Sequence, residues 1–313
     1  MEKETVKKYF EDNAMSWILD GYKDDGYNYP VAYHRLRIIR EVLSNSNLSD
    51  RAVDLGCGGG DVSLMLADLG FNVTGVDQSK NMIEIGNERL SKASADIQKK
   101  LKFVNRPLDE NGLETGSHDV CLAMGVIGYL PNDEILFDVA HQLLKPGGLF
   151  LVSCRNRLFN MQSISFRTID EINNGEAIKL IEEMDELYER IPLEAADKMV
   201  SDFKRIANEL PQNTSYANEE MASPSEKHNP EKPQESNLHP RQHTPKRLKA
   251  TANKCGFEYV DYYGVHPHLI DPRLNTLMPP QLFNTISDSL EAFERLPIAL
   301  TYNSVFIGVF QKS

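Results

Sequence analysis

The sequence predicts an α/β protein built on a doubly wound, mostly parallel sheet. Three observations carry this reading. Short apolar strands alternate with amphipathic helices from Arg51 to Cys154. The first of those strands runs directly into a glycine cluster, Gly56-Cys-Gly-Gly-Gly60, that opens a helix at Asp61. His118–Met124 is an almost unbroken apolar run, the pattern of a strand covered on both faces.

The elements follow in order. Val6, Phe10 and Trp17 mark the apolar face of an N-terminal helix. Gly21–Pro30 is a Gly/Asp/Tyr-rich break, and Val31–Leu43 is helical again, with Leu36, Ile39 and Leu43 on one side. Arg51–Leu55 is strand one, and Asp61–Leu69 a helix closed by Gly70. Phe71–Val76, Leu101–Asn105 and His118–Met124 are strands two to four, with a helix at Ser79–Lys92. Asp133–Leu144 is a helix stopped by Lys145-Pro-Gly-Gly148, and Leu149–Cys154 is strand five. Thr168–Leu210 is helix-like, with an amphipathic stripe of Ile178, Ile181, Leu187 and Ile191. Thr244-Pro245 reads as an N-cap with proline at the first helical position. That helix ends at Cys255-Gly256. Phe257–Val265 is strand six, about 281–295 a helix, and Ser304–Gln311 a strand alternating Val305, Ile307 and Val309.

The 313 residues carry 46 acids and 34 bases, a net charge of −12. Such a surface argues against nucleic-acid or anionic-membrane partners, which need basic faces. No apolar run approaches the roughly 18–20 residues of a membrane span, and the charged N-terminus lacks a signal-peptide core, so a cytoplasmic protein is expected. The four cysteines are scattered and read as small buried hydrophobes. The acidity is uneven: Asn160–His243 holds 17 acids and 9 bases, a net of −8, leaving −4 for the rest. Within it, Pro211–His243 has five prolines in 33 residues and little that is apolar. Such a stretch cannot bury enough surface to offset its ordering entropy, so it is expected to be a disordered polar loop. The expected organisation is a helical cap at 1–45, a cofactor-binding core at 46–159, an acidic helical insertion at 160–210, the polar loop at 211–243 and completion of the core at 244–313.

The chemistry-bearing motifs lie at strand ends. Glycines after strand one let a ligand approach the backbone, and the helix start offers free N–H groups. A dinucleotide fingerprint, G-x-G-x-x-G, would require glycine at 61, where this chain has Asp61. The spacing is instead Gly56, Gly58, Gly60, which suits a ligand without phosphates. Asp77, 21 residues after Gly56, ends strand two, where an acid can accept both ribose hydroxyls. Tyr22 and Tyr29, with Tyr27 and Trp17, are candidates for a lid. His228, His239 and His243 have no metal-site spacing, and no metal is expected.

This combination resembles the class I S-adenosylmethionine-dependent methyltransferases, and in look most of all their ubiquinone-pathway O-methyltransferases. It covers Val31–Cys154 well and Thr244–Ser313 more loosely. The likeness rests on the Gly56-Cys57-Gly-Gly-Gly60 turn, Arg35 on the helix before strand one, Arg155-Asn156 after strand five and Gly264-Val-His266 after strand six. The resemblance implies a Rossmann-like, seven-stranded sheet of order 3-2-1-4-5-7-6, with S-adenosylmethionine as cofactor. Asp54 and the turn Gly56, Cys57, Gly58 and Gly60 would hold its methionine end, with Arg35 at the carboxylate. Asp77, Gln78 and Met82 would hold the ribose side, Arg106, Pro107 and Leu108 the adenine, and Met124 would lie near the sulfonium. Many members carry Asp in the adenine loop, where this chain reads Asn105-Arg-Pro-Leu108.

The implied reaction is an in-line methyl transfer, in which the protein supplies alignment and desolvation. A hydroxyl acceptor must also lose a proton, and His266 and His268 are the candidate bases, as imidazoles that titrate near neutrality. Tyr22, Tyr29, Tyr129, Arg155 and Asn156 are the candidate acceptor contacts. Few basic residues are expected on that side. The acceptor is expected to be a small molecule, a phenolic or quinone precursor or a sugar methylated on oxygen, with a sugar or natural-product amine as the alternative. A nucleotide-dependent oxidoreductase and a cofactor-binding regulator without turnover are the readings from other classes. The insertion's stripe could serve as a homodimer face.

Overall fold

A computed structural model describes residues 3–15, 31–48, 50–188, 191–209, 238, 240–268 and 286–313. Its strands are β1 (Arg51–Leu55), β2 (Asn72–Asp77), β3 (Leu101–Asn105), β4 (His118–Met124), β5 (Leu144–Arg155), β6 (Phe257–Pro267) and β7 (Asn303–Lys312). They form one sheet in the order β3-β2-β1-β4-β5-β7-β6. The first five are parallel, and β7 runs antiparallel between β5 and β6. This is the expected architecture.

The central strands are buried on both faces because their side chains alternate between two cores. Val53, Leu55, Cys121, Phe150, Val152 and Phe306 point into one core, which Phe137, Leu248 and Phe257 complete. Ala52, Val120, Leu122, Leu151 and Ile307 point into the other, with Ile38, Ile39 and Leu66. The helices flanking the sheet are α1 (Lys3–Asp12), α2 (Val31–Ser44), α3 (Asp61–Asp68), α4 (Lys80–Ser91), α5 (Ala95–Lys100) and α6 (Glu134–Leu143), followed later by α11 (Pro245–Lys254); all but α1 contribute to the two cores. Caps set their starts. The Ser79 hydroxyl accepts from Met82 N at 3.3 Å, and the Thr244 hydroxyl accepts from Arg247 N at 3.2 Å ahead of Pro245. The short α5, capped by Ser94, was not expected; it buries no side chain and so leaves no apolar period to read. The segment 1–45 also divides differently. α2 packs on the sheet as part of the core, and its first turns, like α1, lie toward the functional end of the strands.

The acidic insertion departs from one long amphipathic element. It contains α7 (Phe159–Ser163), α8 (Phe166–Asn173), α9 (Ala177–Asp185) and α10 (Leu193–Glu209), with Gly175 in the left-handed region between α8 and α9. Ile178 is 71% exposed and Ile181 56%, so the stripe's first part faces solvent, while Leu187 packs against the core; Leu180 is the buried residue of α9. The insertion is joined to the core by polar contacts: Arg157 pairs with both carboxylate oxygens of Glu171.

Most of the expected disordered loop, 211–237 and 239, lies outside the described residues, as do Trp17, Tyr22, Tyr27 and Tyr29. Its end, however, is packed. Leu238 and His243 are buried, and His243 pairs with Asn156 through a backbone bridge. Polar composition concealed this because the segment is held by hydrogen bonds, not by apolar burial. In the expected helix at 281–295, residues 286–290 are helical and Glu291–Phe293 is a 3₁₀ turn. α12 (Ala299–Tyr302) then leads into β7.

Candidate active site

A cavity of about 990 Å³ lies across the carboxyl ends of β1, β2, β4 and β5, where the strand order reverses between β1 and β4. Its floor is the turn after β1. Gly56 N and Cys57 N both donate to Val76 O, at 2.7 and 3.1 Å, which pins the turn onto β2. Gly56 (φ 69°) and Gly58 (φ 51°) occupy the left-handed region. A Cβ on Gly56 would stand 2.4 Å from Val126 Cγ2.

Asp77 completes this floor. One carboxylate oxygen accepts from Gly58 N at 2.9 Å and the other from Ser79 N at 2.8 Å. Burial raises its pKa above the usual carboxylate range, while the N–H groups of Ser79, Gly58 and Gln78 pull it down. Each oxygen keeps a lone pair for a further donor. Asp54 is fully buried. Burial pushes its pKa up to about 7 against the opposing Ser63 hydroxyl, which donates to it at 2.7 Å, with Asp77 and Asp61 adding to the rise. Cys57, Gln78, Met82, Arg106, Pro107, Leu108 and Met124 line the same end of the cavity, as the sequence led us to expect. Burial first, then Asp54 and Asp77, hold the Cys57 thiol protonated. Lys3 on α1 donates to Asp109 at 2.8 Å, so α1 closes over the loop after β3.

Gly60 is a correction. It caps α3 in the left-handed region and does not line the cavity; Gly59 does. A Cβ on Gly60 would stand 2.4 Å from the Phe103 ring, and that ring also crowds Gly75 and Gly86. The third glycine of the motif serves helix–sheet packing. Asp61, at the helix start, pairs with Arg89, whose guanidinium also donates to Gly59 O at 2.9 Å.

Tyr129, Arg155, His266 and His268 line the opposite end of the cavity, and Arg35 reaches Gly125 between the two ends. His266 has φ 63°, an uncommon conformation for a residue with a side chain. Its Nδ1 is 2.9 Å from Ser304 Oγ, and His268 Nε2 is 3.2 Å from the same hydroxyl. Both imidazoles depart from the expected titration near neutrality. Burial pulls His268 down to about 4 and, together with His268, Arg35 and His34, holds His266 well below its ordinary value. They are neutral acceptors of modest basicity. Burial raises the Tyr129 phenol, whose ring meets Phe10 edge-on at 5.1 Å.

Asn156 is a second correction. Its side chain donates to Leu300 O at 2.6 Å and Asn303 O at 2.8 Å and accepts from Leu158 N, so it braces β5 against β7 instead of lining the cavity. The expected scarcity of bases is a third: Arg155, Arg167 and Arg241 all line this end. Arg167, Arg241, Gln242, Phe159 and Ser304 were missed. Arg241 and Gln242 lie between Leu238, the last apolar residue of the polar stretch, and the Thr244 cap; those were the available signals. Arg241 donates to Leu130 O and Ile127 O and pairs with Asp133 at 2.6 Å. His243 Nε2 is 2.8 Å from that same carboxylate. Gln242 exchanges hydrogen bonds with Asn160 at 2.8 and 3.0 Å.

Among the described residues, one group has metal-ligand chemistry: His34, Glu291 and Glu294. Arg37 pairs with both carboxylates, so their charge is already met, and the group lies outside the cavity. No described helix is long and apolar enough to cross a membrane.

The fold and the strand-end site are of the kind found in the class I S-adenosylmethionine-dependent methyltransferases. Residues 53–152 match the family model described as "Methyltransferase domain". A sterol 4-C-methyltransferase of Caenorhabditis elegans is 30% identical over 159 residues, 48% of this chain and 46% of the relative. A ubiquinone biosynthesis O-methyltransferase of Xanthomonas oryzae is 30% identical over 136 residues, 42% of this chain and 55% of the relative. The chain thus spans about half the length of the curated relatives it matches. Magnesium protoporphyrin IX methyltransferase of Synechocystis, solved with S-adenosylhomocysteine bound, superposes with a TM-score of 0.54. It is 13% identical, with 99% of each chain covered, and shares the fold.

Proposed function

We propose that the protein transfers the methyl group of S-adenosylmethionine to a hydroxyl oxygen of a small molecule. The observation that carries this reading is the continuity of one cavity from the Asp77 floor to the His266–Ser304 wall. The residues present fit the cofactor. Asp77 has acceptor capacity left for vicinal hydroxyls, the glycine turn has no Cβ to obstruct a close approach, and Asp54 gives a buried acid facing a cation. When bound, the cofactor supplies an electrophilic methyl on a sulfonium.

The chain's own residues do the rest. Gly56–Gly59 and Asp77 hold the nucleoside and amino-acid parts, and Arg35 meets the carboxylate. Arg106, Pro107 and Leu108 flank the base. Met124 and Gly125 bring backbone to the centre of the cavity. Phe159, Tyr129 and α1 keep water out. His266, oriented by Ser304, accepts the acceptor's proton at the nitrogen not turned to that hydroxyl. Its low basicity makes alignment the larger contribution. That same low basicity favours a second reading, transfer to an amine that reaches the site already neutral.

Methyl-labelled cofactor and a metabolite extract, followed by mass spectrometry of the labelled product, test both. Label on oxygen supports the first reading and label on nitrogen the second. Binding of S-adenosylmethionine without transfer to any fraction would favour a regulator, and binding of a nicotinamide cofactor in its place would remove the methyltransferase reading.

A further inference from the structure

The cavity is electrically polarised in a way that the chain's net charge conceals. Every acid that lines it, Asp54, Asp61, Asp77 and Asp109, lies at the carboxyl end of β1, β2 or β3 or in the segment just after it. From Met124 onward the described lining contains no carboxylate, yet it contains Arg155, Arg167 and Arg241. This occurs in a protein of net charge −12, and Arg167 belongs to its most acidic segment.

Arg241 is neutralised by Asp133. The other two have no carboxylate partner among the described residues. The Arg167 guanidinium is 3.3 Å from Gln242 Oε1 and 5.3 Å from the Phe166 ring centre, and neither contact cancels its charge. Asp170 and Glu171 act on Arg167 only at longer range: Asp170 makes no ion pair with it, and Glu171 is committed to Arg157 and Asn160. Burial, and then the proximity of Arg155, lower the Arg167 pKa, so the two cations share a region and repel. Holding like charges together costs stability. Arg155 comes from the end of β5, while Gln242 and α8 present Arg167. Both guanidinium groups line the same cavity, and a pair of guanidinium groups in one cavity can recognise an oxyanion.

We infer that the methyl acceptor carries an anionic oxygen group, a carboxylate or a phosphate, bound between Arg155 and Arg167. This rests on the methyltransferase reading and narrows its substrate class. Bound there, the anion would relieve the repulsion and fix the acceptor's reactive atom relative to His266 at the same end of the cavity.

The test uses the full chain and a small-molecule extract of its own cells. The extract is separated on an anion-exchange resin before reaction, and each fraction is incubated with methyl-labelled S-adenosylmethionine. Acceptor activity should lie in the retained fraction. Arg155→Gln and Arg167→Gln should each lower kcat/KM by about 10- to 100-fold, chiefly through KM, with S-adenosylhomocysteine affinity unchanged by calorimetry. Arg155→Lys should recover part of the loss. Phosphatase treatment of the retained fraction separates the sources: loss of acceptor activity identifies a phosphate, and survival a carboxylate. Activity in the flow-through, or turnover that neither Gln substitution alters, would overturn the inference. Failure of the wild-type protein to bind S-adenosylmethionine would instead overturn the reading beneath it.

Discussion

Asp77 joins two tasks in one carboxylate, because the atoms that would meet ribose hydroxyls also tie the glycine turn to the start of α4. Asp77→Ala should therefore weaken S-adenosylmethionine binding by about 10- to 100-fold, measured by calorimetry. Asp77→Asn should lose less, since its carbonyl still accepts one N–H. Asp54 adds a pH dependence. Its pKa of about 7 leaves it largely protonated in mildly acidic solution, and a cation beside it favours the ionised form. Cofactor affinity should rise with pH toward neutrality. Binding at about pH 6 should release a proton, seen as a buffer-dependent heat, and at about pH 8 should release almost none. Asp54→Asn should abolish the difference.

At the scale of the element, the turn after β1 separates glycines that look alike in sequence. Gly56 and Gly58 both have positive φ, yet a Cβ meets Val126 at 2.4 Å in the first and nothing closer than Met82 Sδ at 3.9 Å in the second. Gly56→Ala should destabilise the fold by about 2 kcal/mol or more beyond Gly58→Ala, since steric overlap adds to the shared backbone strain; chemical denaturation measures the gap. The segment 240–243 acts as a strut between the loop after β4, the end of β5 and the insertion. Arg241→Ala removes two bonds to carbonyl oxygens and one partner of the buried Asp133. A loss of about 2 kcal/mol or more is expected. KM for the acceptor should rise as well, because Gln242 and Arg167 are positioned next to it.

For the whole molecule, stability against pH is a contest between buried groups of opposite sense. His268 is about 4 when folded and ordinarily 6.5, so the unfolded chain takes up its proton first. Its contribution is complete above 6.5 and falls as pH drops toward 4, by about 3 kcal/mol over that window. Asp54 acts in reverse: its folded value lies above its ordinary 3.8, so its contribution is complete below that value and is lost as pH rises through 7. The wild type should show a flattened profile between about pH 4 and 7. His268→Gln should make stability fall more steeply as pH rises across that range, and Asp54→Asn should make it rise; urea titrations at stepped pH distinguish the two.

The sequence by itself determined the sheet, the glycine turn and Asp77, because each is written within a few consecutive residues. Strand burial shows as an apolar run, the turn as glycines, and the ribose acid as the end of a strand. The fine structure of that turn was beyond it. Gly60 and Gly56 demand the same backbone, and only the packed position of Phe103 shows that one serves the core and the other the cavity. Asn156 and Arg155 are neighbours in sequence, yet one braces β7 and the other faces the cavity. The acceptor wall was the least legible part. Arg155, Arg167, Arg241, His266 and Ser304 come from segments far apart in the chain, and no local pattern records which distant charges will share a cavity. The sequence gives a net charge; where the cations converge and how far burial shifts the imidazoles depend on distance and desolvation, which exist only once the chain is folded.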